Sequence, residues 1–252
     1  MGQGSLAPVT ADDPMPLVAH LRELRDRFRN AIIAVFVAFL GLFPFANQLY
    51  TYVSEPLRTL LPEGSSMIAT EVTSPFLTPF KLSLVLAVFV AMPVILSQIW
   101  GFIAPGLYKA EKRIAVPLLA SSVVLFYAGV AFAYYVVFPL LFGFFTTVGP
   151  GDISVMTDIN RYLDFVLKLF FAFGLAFEVP VAAVILILTG VVSADQLANN
   201  RAYVIVGCFV MGMLLTPPDV ISQTLLALPM WLLFEVGLIM GRFLSKSGPT
   251  DE

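Results

Sequence analysis

An all-α, polytopic membrane protein with six transmembrane helices is the fold class this sequence predicts, and three observations predict it. Hydrophobic residues make up 59% of the 252 positions and charged residues 12%, where a soluble domain carries about 45–50% and about 25%. At a mean hydropathy of +0.91, one core of this size cannot hide the apolar excess, so lipid is the solvent. The apolar residues fall into six segments, and the cations fall unevenly between them.

A bilayer core of about 30 Å needs roughly 20 apolar residues per helix. Spans are expected over about 30–45, 76–103, 114–138, 162–188, 203–216 and 220–240, in a single domain covering 16–243. Residues 1–15 are expected as a flexible tail and 244–252 as a cytoplasmic tail. Asp12 and Asp13 near the start, with no basic leader and no small-residue cleavage site after Phe45, argue against a secretory signal, so the first span is expected to be retained.

Before that span, Leu17, Leu21, Leu24 and Phe28 recur at i, i+4, i+7 and i+11. They form one stripe, with Arg22, Glu23, Arg25, Asp26, Arg27 and Arg29 off it: an amphipathic helix for the membrane surface. The second span contains Pro93, the fourth Pro180 and the sixth Pro229. Each removes a backbone donor, and together they predict a kinked, curved bundle. The third segment stays apolar to about Val148, longer than a bilayer needs, so it is expected to continue outside the membrane with a bend at Pro139. With the loop from Ala46 to Pro75 it would build an outer helical cap. The fifth and sixth spans are short. The fifth, ending before Pro217 and Pro218, reaches only about 21 Å at 1.5 Å per residue.

Ten of the fourteen Lys and Arg residues lie in one set of loops: Arg22, Arg25, Arg27, Arg29, Lys109, Lys112, Arg113, Arg201, Arg242 and Lys246. Arg58, Lys81, Arg161 and Lys168 lie toward the other side. The bias places both termini in the cytoplasm, which agrees with an even number of spans.

Net charge −3 without a basic block excludes a nucleic-acid partner. One cysteine, Cys208, and one histidine, His20, exclude a disulfide framework and the usual zinc sites, so neither a metal nor a cofactor is expected. Cys208 reads as packing and His20 as a solvated interface residue. No HExxH, GxSxG or P-loop string occurs, so no enzyme activity is expected.

The sparse polar residues carry the functional reading. Glu23 stands four residues before Arg27, so it either pairs there or receives an arginine from a partner. Glu111, flanked by Lys109, Lys112 and Arg113, either balances local charge or takes a guanidinium as a two-pronged fork. Glu178 lies at depth in the fourth span, where a carboxylate costs roughly 2.5–3.5 kcal/mol and so needs a cavity, a partner or a cation. Gln223 is a second polar group at depth. Thr216 and Asp219 flank the Pro-Pro turn, Asp219 as a possible N-cap of the sixth span. Asp164 and Lys168 are expected to pair, and Glu235 to pair with Arg242 or Lys246. Gly237 and Gly241 form a GxxxG, a weak sign of close helix contact.

Several strings together resemble the TatC family, the multi-spanning receptor of the twin-arginine protein translocase. They are His20-Leu21-Arg22-Glu23-Leu24-Arg25, Trp100 to Arg113, Phe126-Tyr127-Ala128-Gly129 through Pro139, Phe173 to Pro180, and Gly212-Met213-Leu214-Leu215-Thr216-Pro217-Pro218-Asp219 through Pro229. The likeness runs from about Pro16 to Arg242, and the order and spacing of the strings make it specific. It implies a receptor in the plasma (inner) membrane that binds Arg-Arg signal peptides of folded cargo at the cytoplasmic face. It further implies a hetero-oligomer with the single-span subunits TatA and TatB, and export driven by the proton-motive force. By the same resemblance Glu23, Arg25, Phe102 and Glu111 form the signal-peptide site. Glu178 lies on the concave face; Met213, Thr216 and Gln223 mark partner docking; Pro56 and Asp219 belong to the outer loops. Lys168 departs from the family's pattern. The alternative from the residues alone is a proton-coupled small-solute secondary transporter using Glu178 and Glu235. An intramembrane protease is disfavoured, since no Ser–His or paired-Asp arrangement falls in the spans.

Overall fold

Helix formers carry the chain from Leu17 through the apolar stretch, with no proline and a single glycine, Gly41, at the end, and the result is one helix. The computed structural model describes residues 17–60, 67–103, 112–148, 157–215 and 220–246. α1 runs over Leu17–Leu42, 26 residues, so the expected surface helix and first span are a single continuous element. Its stripe residues Leu21, Leu24 and Phe28 are exposed, as befits a helix whose apolar face meets lipid. A 3-10 turn at Phe43–Phe45, containing Pro44, ends it.

α2 (Ala46–Leu60) follows at once and builds the outer cap. Its own Val53 and Ser54 are buried. The Tyr162 hydroxyl donates to the Val53 carbonyl at 3.0 Å, and that of Tyr134 to the Tyr52 carbonyl at 3.4 Å. Two short strands, β1 (Met67–Ile68) and β2 (Thr157–Asp158), pair in parallel with Met67 opposite Thr157 and Ile68 opposite Asp158. Asp158 is the fastener here. It caps α6 (Ile159–Ala176) by accepting from the Asn160 and Arg161 amides at 3.0 Å each, and it accepts from the Thr70 amide at 3.0 Å and hydroxyl at 2.6 Å. These donors hold its carboxyl well below the usual range, at about 2, the Thr70 hydroxyl contributing most.

α3 (Ser74–Ile103) keeps Pro79 and Pro93 inside one 30-residue helix. The long third segment forms α4 (Lys112–Phe132), a widened π turn at Ala133–Val137, and α5 (Phe138–Val148). The irregularity expected at Pro139 thus lies just before it. Pro139 has no N–H for the preceding turn, and the chain adapts by bonding the Phe138 amide to the Ala133 carbonyl. The fourth segment is one span built of two helices, α6 and α7 (Val179–Leu188), broken at 177–178 rather than kinked within a continuous helix. Pro180 falls in the first turn of α7, where its missing N–H is not needed.

A short α8 (Ala194–Asn199), closed by a Ser193–Gln196 capping box, leads to α9 (Arg201–Leu215). α9 has 15 residues, about 22 Å, as short as expected. α10 (Val220–Lys246) has 27 residues and keeps Pro229 inside it, so the sixth span is not short. Nothing after Pro229 interrupts hydrogen bonding, and Gly237 and Gly241 are spent on packing rather than on ending the helix. A Cβ on Gly237 would stand 2.6 Å from Pro180 Cα, and Gly241 lies against Ile187, so the GxxxG seats α10 on α7.

Five stretches are long and apolar enough to cross a membrane, at 21–55, 74–102, 116–144, 159–188 and 220–244; Arg201–Leu215 is a shorter apolar helix. The core gathers around Leu82, Phe126, Phe138, Leu163, Phe173 and Leu226, all fully buried. α1 and α9 stand at its margins with most of their apolar side chains exposed. The start of the expected C-terminal tail, 244–246, continues α10; the rest of that tail, the expected N-terminal tail, and the positions of Glu111, Thr216 and Asp219 lie outside the described residues.

Candidate functional site

The N-terminal half of α1 crosses the C-terminal end of α3, and three charged or aromatic side chains meet there. Glu23 and Arg27, one helical turn apart, form an ion pair in which Arg27 Nε donates to Glu23 Oε1 at 2.9 Å and Arg27 Nη2 donates to the same oxygen. Both are only about a quarter exposed. Arg27 and Phe102 sit on the wall of an apolar groove of about 580 Å³ between α1 and α3, which Phe28, Ile32, Phe36 and Ile99 continue. Arg25 is not part of this group. It points outward and bonds Asp26 at 3.0 Å and 3.2 Å. Pair formation by Glu23 was legible from its spacing to Arg27. That Arg27 would also line the groove was not, because only the crossing with α3 decides it.

A second constellation lies at the α6–α7 break. Glu178 occupies the turn, with its Oε1 buried and unpartnered among the described residues. Ser122 of α4 is its polar neighbour. Ser122 also accepts from Trp100 Nε1 at 3.3 Å, so α3, α4 and the break share one polar contact line. Ser122 gave no sequence signal, since nothing in an apolar helix distinguishes it from its neighbour Ser121. Gly174, one turn before the break, is packed against by the Phe126 ring, whose Cε2 would stand 2.6 Å from an added Cβ.

The third group is where α9 meets α10. Gly212 allows the approach, since a Cβ there would stand 3.3 Å from the Gln223 carbonyl oxygen. Gln223 is half-buried at this crossing, whereas Met213 projects from the exposed face of α9. Pro56 lies in α2 of the outer cap.

Several expected pairings differ. Asp164 bonds Lys81 of α3, not Lys168, which is exposed on α6. The bond ties α6 to α3 through two half-exposed side chains. Glu235 is gripped by Arg201 at 2.6 Å and 2.9 Å, and Arg242 reaches Asp195 at 3.1 Å. The fork geometry of Arg201, arriving from α9, satisfies both carboxylate oxygens. Among the described residues no cluster of three or more His, Cys, Asp or Glu could hold a metal ion.

Comparison with known proteins agrees with this architecture. A family model described as "Sec-independent protein translocase protein (TatC)" matches residues 19–229. A relative from Azotobacter chroococcum mcd 1, a Sec-independent protein translocase protein TatC, is 65% identical over 92% of this chain and 91% of its own. One of the same name from Escherichia coli K12 is 56% identical over 97% and 95%. A crystal structure described as the twin-arginine translocase receptor TatC superposes with a TM-score of 0.80 at 39% identity, covering 89% of this chain and 98% of that one.

Proposed function

The chain belongs to the TatC family of Sec-independent protein translocase proteins and is a multi-pass membrane protein, and on that footing we propose that it is the cargo receptor of a twin-arginine translocase. It binds Arg-Arg signal peptides of folded proteins at the cytoplasmic face of the plasma membrane. It acts with the single-span subunits TatA and TatB, and the proton-motive force drives export. Six spans, counting α9, put both termini in the cytoplasm; the cation bias of the loops supports this arrangement. Residues 16–243 act as one domain between two tails.

The observation that carries this reading is the Glu23 carboxylate. It is half-buried at a membrane-proximal helix end, already hydrogen-bonded to a guanidinium, and beside a groove lined by apolar side chains. A carboxylate with those neighbours is chemically suited to an arginine followed by an apolar segment. Glu111 supplies the second carboxylate, and Arg25 and Phe102 flank the site. Glu178, Met213, Thr216 and Gln223 form the surface for the single-span partners, and Pro56, in the helical cap, and Asp219 act on the outer side. The proton-coupled solute transporter gains nothing from the geometry: Glu235, one of the two acids it needs, is held by Arg201.

The test is site-specific cross-linking of an Arg-Arg signal peptide to the inserted chain. Glu111→Ala and Glu23→Gln should each abolish the cross-link while leaving membrane insertion unchanged. Cross-linking that persists undiminished in both variants refutes the assignment.

A further inference from the structure

The ion pair between Glu23 and Arg27 is more than a surface contact, because α3 is shaped to receive it. Arg27 reaches across from α1 and lays its guanidinium on the backbone of Gly101. A Cβ built there would stand 2.8 Å from Arg27 Cζ and 3.0 Å from Nη2. The guanidinium therefore has a carboxylate from α1 on one edge and a bare stretch of α3 under it. Phe102, the next residue of α3, lines the same groove. A glycine near the end of a 30-residue helix lowers helix propensity relative to alanine. Here it leaves room for a planar cation.

We propose that Glu23 and Gly101 form a guanidinium seat, that Arg27 fills it in the free receptor, and that a cargo arginine enters by displacing Arg27. The proposal rests on the reading of Glu23 as a signal-peptide contact. It adds Gly101 as a residue of the binding site and Arg27 as a resident competitor.

The resident arginine sets a threshold. A ligand that must displace it binds with an affinity reduced by the fraction of time the seat stands open. A seat filled for roughly two-thirds to nine-tenths of the time weakens cargo binding roughly threefold to tenfold. The factor is the same for every ligand of the seat. Arg27 thus does not change the ratio between arginine and lysine signals; it lowers both, so that the weaker one falls below a useful occupancy. The ratio itself comes from the fork that only a guanidinium can make with Glu23.

The test uses the full-length chain in lipid nanodiscs, titrated with a fluorescent signal peptide carrying Arg-Arg and with its Lys-Lys twin. Arg27→Gln should tighten both peptides by a common factor of roughly threefold to tenfold, and Arg27→Lys, which keeps the charge but loses the fork, should fall between. Arg29→Gln removes an equal charge from an exposed site whose partner is Asp26, and should give a markedly smaller gain. Gly101→Ala places a methyl group where the Arg27 guanidinium lies, so adding it to Arg27→Gln should cancel the gain. The inference is overturned if Arg27→Gln weakens binding or leaves it unchanged, if Arg29→Gln gives an equal gain, or if the gain survives Gly101→Ala. Glu23→Gln separates the two levels. If it leaves Arg-Arg binding intact, the receptor reading of Glu23 fails. If it abolishes binding while Arg27→Gln brings no gain, only the resident-competitor inference fails.

Discussion

Replacing Asp158 by alanine should loosen the outer cap where its two strands meet. The carboxylate collects four donors from two segments far apart in sequence, the first turn of α6 and Thr70 after β1. Its folded value of about 2, against an ordinary 3.8, corresponds to roughly 2.5 kcal/mol of preference for the folded state. Solvent at the rim of the cap screens this to about 1–2 kcal/mol. Opening of the cap in Asp158→Ala should therefore become about fivefold to thirtyfold more frequent. The assay is hydrogen exchange of the amides at 68–70 and 159–161 in detergent, compared with amides in the middle of α3. Asp158→Asn keeps an acceptor for the helix amides but not the charge, and should lie between. The sign of the pH effect follows from a depressed carboxylate. Stabilisation is complete above about pH 4, the ordinary range, and is lost as pH falls through about 2. The wild-type cap should loosen over that window and Asp158→Ala should show no such step. Equal exchange in the two proteins, or the same acid step in both, refutes the reasoning.

Three other outcomes are expected. Gly237→Val should force α7 from α10, because the atom a Cβ meets is the backbone Cα of Pro180 at 2.6 Å. Overpacking of that kind costs about 1–3 kcal/mol and should show as a lower thermal midpoint, whereas Gly207→Ala, with open space around it, should be neutral. Removing Asp164 alone should destabilise more than removing it together with Lys81, since the single change strands a cation in the spans; a double-mutant cycle on the two positions measures this, and strict additivity would contradict the pairing. Tyr162→Phe deletes the bond to the buried Val53 carbonyl, costs about 1 kcal/mol, and should raise the labelling rate of a cysteine placed on α2.

Membrane class, six apolar segments, the helical outer cap, the short α9 and the close contact at Gly237 were all legible in the sequence. Each rests on local quantities: residue type, run length, or the four-residue spacing of a GxxxG. The family likeness was legible as well, because it rests on strings and their order. Pairings between elements were not. Asp164 has Lys168 at the right helical spacing and yet bonds Lys81; Glu235 has two cations downstream and yet takes Arg201. The break at 177–178 was hidden too, since a proline in the first turn of a new helix and a proline that kinks an old one look alike in sequence.

The sequence by itself determined the solvent, the number of apolar segments and which few residues could carry charge within reach of the membrane. Those are sums and periods along one chain, and lipid reads them directly. Only the tertiary structure decided what each charge faces. It laid Arg27 on Gly101 beside Glu23, left one Glu178 oxygen unpartnered among the described residues, near Ser122, and closed the cap on Asp158. Side chains on different helices meet through crossing geometry and rotamer, set by packing across the bundle, and no local pattern encodes which of several equally spaced partners a charge will take.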